Sequence, residues 1–159
     1  MNELNTLRRT LLKGGCAAGV VAFAASAGLL VPGRALAAQW NKAAFEAKGV
    51  ADALKGMGAE GLADSKDILI KAPDIAENGS VIPVEVTSQI AGTQSISILA
   101  EKNPLPLLAL FEFAEGAQGY VSTRIKMGQT SSVRAVVKAG GKYYSAAKEI
   151  KVTIGGCGG

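Results

Sequence analysis

Between residues 67 and 154, short apolar runs alternate with turn-forming residues, a pattern typical of β-strands. In the second run, Ile82, Val84 and Val86 occupy alternate positions and predict one buried face. No helical pattern separates the runs, so the chain is predicted to be mainly β, an immunoglobulin-like antiparallel sandwich. About seven strands are predicted, at residues 68–72, 81–87, 95–100, 107–113, 120–127, 132–139 and 142–154.

A helix is predicted before the strands, over residues 41–57. The apolar residues Phe45, Val50 and Leu54 have a roughly helical spacing, and Gly56 supplies a stop signal. This N-terminal helix is expected to pack on a sheet or on a partner subunit. Trp40, directly before it, is interpreted as a packing residue.

Three local signals refine the strands. Pro83 cannot donate a ladder hydrogen bond, which predicts an edge position or a strand start. The pair Gly140 and Gly141 predicts a tight hairpin between the last two strands. The apolar run from Leu105 to Leu110 is interpreted as core or subunit interface.

The chain closes on a cysteine enclosed by four glycines: Gly155, Gly156, Cys157, Gly158 and Gly159. Glycine has no side chain to pack and the widest backbone freedom, so residues 155–159 are predicted to form a flexible carrier arm. Fully extended, five residues reach roughly 16–18 Å. The arm is therefore expected to present one thiol well beyond the last strand.

The N-terminus has the features of an export signal. Arg8 and Arg9 precede a moderately apolar stretch, and Ala37 closes a small-residue cleavage site with Ala38 following it. The arginine pair favours the twin-arginine route over general secretion. We expect residues 1–37 to be removed, leaving a carrier domain at 38–154 and the arm in the periplasm, without a membrane anchor.

Removal of this leader changes the charge and the cysteine count. The whole chain has 17 Lys and Arg against 13 Asp and Glu, but residues 1–37 hold four of the basic residues and only one acidic residue. The mature chain is nearly neutral, so its net charge does not indicate nucleic-acid binding. Cys16 lies in the leader, so the mature chain keeps only Cys157, a pattern that points to intermolecular pairing or a functional thiol.

The composition does not favour an enzyme. The chain has no histidine, the commonest general base and metal ligand, and no cluster of residues typical of a metal site. Cys157 also has no adjacent base or cation to activate its thiol. No cofactor is expected, and the thiol is better suited to being a handle that other enzymes modify.

Three hypotheses remain from the residues alone. The chain is a covalent carrier on Cys157, or an interaction module whose cysteine only crosslinks subunits, or a ubiquitin-like sulfur carrier activated at a Gly-Gly terminus. The export signal and the order of elements argue against the third. Mass spectrometry separates them. The first hypothesis predicts adducts on the Cys157 sulfur, the second a disulfide-linked dimer alone, and the third a C-terminal thiocarboxylate.

The terminus V-T-I-G-G-C-G-G at residues 152–159 resembles that of the SoxY family, the sulfur-carrier subunits of the bacterial thiosulfate-oxidising (Sox) system. Similar stretches are Ala72-Pro73 with residues 75–79, Lys102-Asn103-Pro104, and residues 122–127. Together with the leader, the resemblance runs through essentially the whole chain.

The resemblance implies a periplasmic heterodimer with a SoxZ-like subunit. It also implies a cycle in which a c-type cytochrome enzyme joins thiosulfate to Cys157 and a manganese-dependent hydrolase releases sulfate. A sulfane dehydrogenase then oxidises the remaining sulfur, and hydrolysis resets the carrier. The sequence alone does not indicate which strands face that subunit.

Arg124 and Lys126 invite the hypothesis of an anion site for thiosulfate. Charged residues at alternate strand positions more commonly form a solvated face, and we favour that interpretation. A contact with a partner protein is the remaining alternative.

Overall fold

The computed structural model describes residues 40–153, and the predicted leader and carrier arm lie outside the described residues. Seven strands match the seven predicted ones to within two residues at either end, which confirms the mainly β sandwich. The elements are α1 (Lys42–Phe45), α2 (Val50–Gly56), β1 (Ala63–Asp64), β2 (Ile68–Lys71), β3 (Ile75–Ala76), β4 (Ile82–Ser88), β5 (Thr93–Ala100), β6 (Leu107–Glu112), β7 (Tyr120–Ile125), β8 (Ser131–Ala139) and β9 (Lys142–Val152).

The strands form two sheets. The large sheet has the order β1-β9-β8-β5-β6, with β3 also paired to β9, and the small sheet has the order β2-β4-β7. The seven longer strands pair antiparallel, as predicted, whereas β1 and β3 run parallel to β9. These two strands were not predicted, because two residues are too short to show an alternating pattern.

The core lies between the two sheets. Ile82, Val84 and Val86 of β4 are fully buried, as their alternation predicted, and they pack in one cluster with Ile96 and Ile98 of β5. Complete burial of such a side chain stabilises the fold by about 1.5–3 kcal/mol. The period of the apolar positions therefore decides which face of each strand turns inward.

The prediction of a single helix over residues 41–57 is wrong, because the segment forms two helices. Gly49 adopts an extended backbone, with φ −129° and ψ 151°, at the residue before α2. Gly56 ends α2 as predicted, and a Cβ there would lie 2.8 Å from the backbone of Ala44. The break and this glycine let the two helices fold against each other.

Both helices pack on the outer face of the large sheet. Ala44 of α1 and Ala53 of α2 are fully buried in a second cluster with Leu99, Leu107 and Val136 of the sheet. This confirms the expectation that the helical segment packs on a sheet. Within residues 40–153, neither helix is long and apolar enough to cross a membrane.

The hairpin signal at Gly140-Gly141 is also confirmed, and of the two positions predicted for Pro83 the strand start is correct, since β4 is the central strand of the small sheet. Gly140 and Gly141 have φ values of 56° and 75° and join β8 to β9 as a two-residue hairpin, a conformation for which glycine is favoured. Pro83 is the second residue of β4, and β2 has already ended there, since its last pair is Lys71 with Glu85. The missing N–H of Pro83 therefore leaves no ladder bond unmade.

Candidate functional site

The described structure ends at the point from which the predicted carrier arm leaves. Strand β9 continues past β8, whose last pair joins Ser131 to Ile150, so Lys151, Val152 and Thr153 extend beyond the antiparallel ladder. Cys157 with its four flanking glycines, the pair Arg8 and Arg9, and the cleavage site at Ala37 and Ala38 lie outside the described residues. The described part of the site is therefore the base of the arm.

One side of this base is held by a side chain. The Val152 N–H donates to the hydroxyl of Thr130 at 3.0 Å, and the same hydroxyl donates to the Val152 carbonyl at 3.4 Å. A threonine hydroxyl can donate and accept at once, so it replaces a strand neighbour at this position. Thr130 thus prolongs the ladder of β9 by one residue after β8 has ended.

The other side is held by the short parallel strand β3. The Lys151 N–H donates to the Asp74 carbonyl at 2.9 Å, and the Thr153 N–H donates to the Ala76 carbonyl at 3.1 Å. Ala76 is itself buried. Residues 151–153 are therefore bonded on both sides, which fixes the direction in which the chain continues.

Lys148 ties the start of the β3 segment to β9. Its ammonium group donates to the Ala72 carbonyl at 2.6 Å and lies 3.0 Å from the Asp74 carboxylate. The Lys148 side chain is 30% exposed but that of Asp74 is 88% exposed, so solvent weakens the ion pair and the bond to the Ala72 carbonyl is the main attachment. The segment from Ala72 to Ala76 is thus attached by side-chain as well as main-chain bonds.

Three loops meet around the base of the arm. Asn103 donates to the Lys126 carbonyl at 2.8 Å and accepts from the Gly128 N–H at 3.3 Å. The N–H of Met127, a fully buried residue, donates to the Gly79 carbonyl at 2.8 Å. These bonds connect the loop after β7 to the loop after β5 and to the turn before β4.

The three internal stretches that resemble the SoxY family therefore meet at one end of the sandwich. The stretch at 72–79 pairs with the end of β9, and Asn103 connects the stretches at 102–104 and 122–127. Sequence reasoning identified each stretch but did not predict that they meet. A sign of it was available for two of them, since the stretch at 72–79 begins at the end of one predicted strand and the stretch at 122–127 stops at the end of another.

The two candidate cations lie near this end of the sandwich. Arg124 is exposed on the outer side of the small sheet, opposite Pro83, and Lys126 is exposed in the following loop. Neither forms an ion pair with another residue of the range 40–153. The solvated-face interpretation stays a prediction.

No residue of the described range completes a metal-binding group. Among residues 40–153, no three His, Cys, Asp or Glu side chains come together in an arrangement that could hold a metal ion. The geometry of the described part is that of a support: it holds the last residues of β9 in a fixed direction by main-chain and hydroxyl bonds.

Comparisons with known proteins match parts of this chain, and one match extends as far as Cys157. The family model described as sulfur oxidation protein SoxY matches residues 54–157. The solved structure of the sulfur carrier protein SoxY from Chlorobium limicola f thiosulfatophilum is 40% identical, with a TM-score of 0.58, and the match covers 65% of this chain and 96% of that one.

A more distant likeness is to the superoxide reductase (neelaredoxin) from Ignicoccus hospitalis. It is 20% identical, with a TM-score of 0.47, over 54% of this chain and 80% of that one. At this distance it carries no argument about function. A comparison with the curated proteins finds no significant match.

Proposed function

This chain belongs to the SoxY family of sulfur oxidation proteins, and from that membership we propose that it holds thiosulfate-derived sulfur covalently on Cys157 in the periplasm. The family assigns the general role, a sulfur carrier in sulfur oxidation. The covalent adduct, the substrate and the location are the proposed part. The observation that carries the proposal is the family match itself, which runs as far as residue 157.

The base of the arm supports this role. A carrier thiol has to reach several enzymes in turn, so its point of attachment should be fixed while the thiol itself travels. Val152 and Thr153 are held between Thr130 and Ala76, and Thr153 lies four residues before Cys157. Four extended residues beyond Thr153 span roughly 13–14 Å, enough to enter a cleft in a partner enzyme.

The proposed cycle begins with the oxidative joining of thiosulfate to the thiol. The Cys157 sulfur forms a bond to the outer sulfur of thiosulfate, the thiol proton is released, and two electrons pass to a c-type cytochrome enzyme. Water then cleaves the terminal sulfonate as sulfate at a manganese-dependent hydrolase, leaving a persulfide. A sulfane dehydrogenase then oxidises that outer sulfur to a sulfonate, with oxygen atoms taken from water and the electrons passed to a c-type cytochrome. A second hydrolysis releases this sulfonate as sulfate and restores the thiol of Cys157.

In this scheme the chain supplies a sulfur atom and its attachment, and the enzymes supply acid–base and redox groups. That division fits a chain without histidine. Membership in the family implies a complex of the SoxYZ type, and we propose a SoxZ-like subunit as the partner. Export in the folded state through the twin-arginine route would let the two subunits cross the membrane together.

The proposal is tested by the intact mass of the protein incubated with thiosulfate and the enzymes of the system. We expect species heavier by a thiosulfate group or by single sulfur atoms, and we expect peptide mapping to place them on Cys157. The control is Cys157→Ser, which should fold equally well, take up no sulfur and support no thiosulfate-dependent electron transfer.

Two results would contradict the proposal. A protein that forms only a disulfide-linked dimer, without sulfur adducts, would be an interaction module whose cysteine crosslinks subunits. Normal turnover by the Cys157→Ser variant would remove the thiol from the reaction altogether.

A further inference from the structure

The asparagines of residues 40–153 differ in how their carboxamide groups are held. Asn41 uses both ends of its group: the amide donates to the Gly56 carbonyl at 2.8 Å, and the oxygen accepts from the Ala44 N–H at 3.1 Å. Asn103 is also bonded at both ends, to the loop after β7. Both groups are therefore fixed by bonds that hold separate segments together.

Asn78 is held at one end only. It is exposed in the turn between β3 and β4, and its side-chain oxygen accepts from the Ser80 N–H at 2.9 Å. Its amide nitrogen donates to no other residue of the range 40–153. The bond from Ser80 draws electron density from the carboxamide carbon and keeps the group against its own backbone. The carboxamide of Asn78 is thus polarised and accessible to water.

The residue after Asn78 favours one particular reaction. Gly79 has no side chain to hinder the approach of its peptide nitrogen to the preceding carboxamide. Its carbonyl accepts from the N–H of the fully buried Met127 at 2.8 Å, but its own N–H donates to no described residue. No bond among the described residues therefore has to break before the Gly79 nitrogen reacts.

The other two described asparagines lack such a neighbour. Asn103 precedes Pro104, which has no N–H. Asn41 precedes Lys42, whose N–H donates to the Trp40 carbonyl at 2.9 Å. Only at Asn78 do an exposed carboxamide and an unhindered peptide nitrogen follow one another within the described range.

We propose that Asn78 is a site of spontaneous modification, at which the Gly79 nitrogen displaces the side-chain amide. The nitrogen loses its proton to water and bonds to the Cγ atom of Asn78. The bond from Cγ to Nδ2 then breaks, and the amide takes up a proton and leaves as ammonia. The product is a five-membered succinimide ring, and nothing is oxidised or reduced. Asparagine is a thermolabile residue in proteins for this kind of reason.

Water opens the ring at either of its two carbonyl carbons. Attack at Cγ leaves an aspartate in the ordinary chain. Attack at the main-chain carbonyl carbon leaves an isoaspartate, in which the chain runs through the former side chain and is longer by one carbon. Both products carry a negative charge at neutral pH that asparagine lacks.

The two products should differ in their effect on the fold. The extra carbon of isoaspartate lies between Ala76, which accepts the Thr153 N–H, and Gly79, which accepts the Met127 N–H. It therefore changes the spacing of two carbonyls that bond to separate parts of the molecule. The ordinary aspartate keeps this spacing, and its carboxylate can still accept from the Ser80 N–H.

The test is peptide mapping of the purified mature carrier during incubation at neutral and mildly alkaline pH. We expect the peptide with Asn78 to gain the mass difference between an amide and an acid, in two forms, one of them a substrate for an isoaspartate-specific methyltransferase. Conversion should be at least tenfold faster than at Asn41 or Asn103. It should also rise with pH, because the Gly79 nitrogen has to lose its proton.

The matched control is Asn78→Ser, since serine keeps an acceptor for the Ser80 N–H but cannot form the ring. A second control is a short peptide of residues 74–82, because Gly79 is buried in the fold but not in the peptide. We expect the folded protein to convert at a rate within tenfold of the peptide. Conversion only after denaturant unfolds the protein, or equal rates at Asn41, Asn78 and Asn103, would overturn the proposal.

Hydrogen exchange on the separated products measures the effect on the fold. The Thr153 and Met127 amides should exchange faster in the isoaspartate form, whereas Asn78→Asp should match the unmodified protein. Equal exchange in all three forms would overturn the inferred effect on the base of the arm. The inference goes beyond the proposed function, because the reaction needs only Asn78, Gly79 and water. It would stand even if Cys157 carried no sulfur.

Discussion

The two sides of the large sheet are built in opposite ways. On the β9 side, two short parallel strands and the Thr130 hydroxyl satisfy the backbone as far as Thr153. On the other side, β6 pairs only with β5 among the described residues, and it ends in the exposed Glu112. One side is thus closed by bonds as far as Thr153, and the other ends the sheet on a strand with one described neighbour.

The difference teaches how the two sides of one sheet can depend on different parts of the chain. The side that holds Thr153 depends on bonds between segments far apart in the sequence, whereas the side that ends at β6 depends on one strand pair. Three changes to the chain test this division, and they are taken from the largest expected effect to the smallest.

The largest effect should come from the strand that lies between the two sides. Ile98 of β5 is fully buried, and Ile98→Ala should lower the free energy of unfolding by about 2–5 kcal/mol through lost burial and a cavity. Because β5 supports both sides, subunit binding and loading should weaken together. Thermal or denaturant unfolding measures the change, and Leu69→Ala, at an exposed position, is the control.

A loss confined to one side after Ile98→Ala would contradict the idea that the sheet acts as one rigid support. Two-state unfolding should be checked first, since the comparison assumes a single cooperative domain.

An effect on one side alone is expected from the arm. Replacing Gly155, Gly156 and Gly158 with valine adds bulk and restricts the backbone. Loading of sulfur should slow by tenfold or more, which corresponds to about 1.4 kcal/mol in the barrier. Quenched reactions followed by mass spectrometry measure it, while the midpoint of unfolding and the affinity for the second subunit should stay as they were.

Alanine at the same three positions is the matched control, since it adds little bulk. If the valine variant loads sulfur at the normal rate, the glycines are not needed for entry of the arm into a narrow enzyme cleft.

The smallest effect should come from the base of the arm. Thr130→Val keeps the shape but removes the hydroxyl that bonds Val152 twice. The free energy of unfolding should fall by about 1 kcal/mol. The Val152 amide should exchange its hydrogen faster, and the loading of sulfur should slow a few-fold. Thr130→Ser retains the hydroxyl and should restore both properties.

A Val152 amide that exchanges equally in the valine and serine variants would show that the hydroxyl does not hold the strand.

Much of the fold could be predicted from the sequence because strand pairing follows the period of the apolar residues. Ile82, Val84 and Val86 indicated their buried face, and Gly140-Gly141 indicated a hairpin. The single helix over 41–57 was wrong because the extended backbone at Gly49 breaks the segment. Apolar spacing alone did not reveal this break, since Phe45 and Leu54 both pack on the same sheet.

The candidate site also has one part that could be predicted from the sequence and one part that could not. The arm and its thiol were predicted directly from composition, because glycine and cysteine act through their own chemistry whatever surrounds them. The base of the arm was not, since the roles of Thr130, Ala76 and Asn103 exist only where distant segments meet. Nothing in the residues near Thr130 indicates a bond to Val152, which lies 22 positions later.

The sequence by itself thus determined the alternating core, the turns and the identity of the thiol. Each of these depends on neighbours within a few residues, or on side-chain chemistry alone. Only the tertiary structure decided which strand edge is covered and which is open, and which loops hold the end of β9. Those outcomes depend on bonds between residues far apart in the chain, which no local pattern encodes.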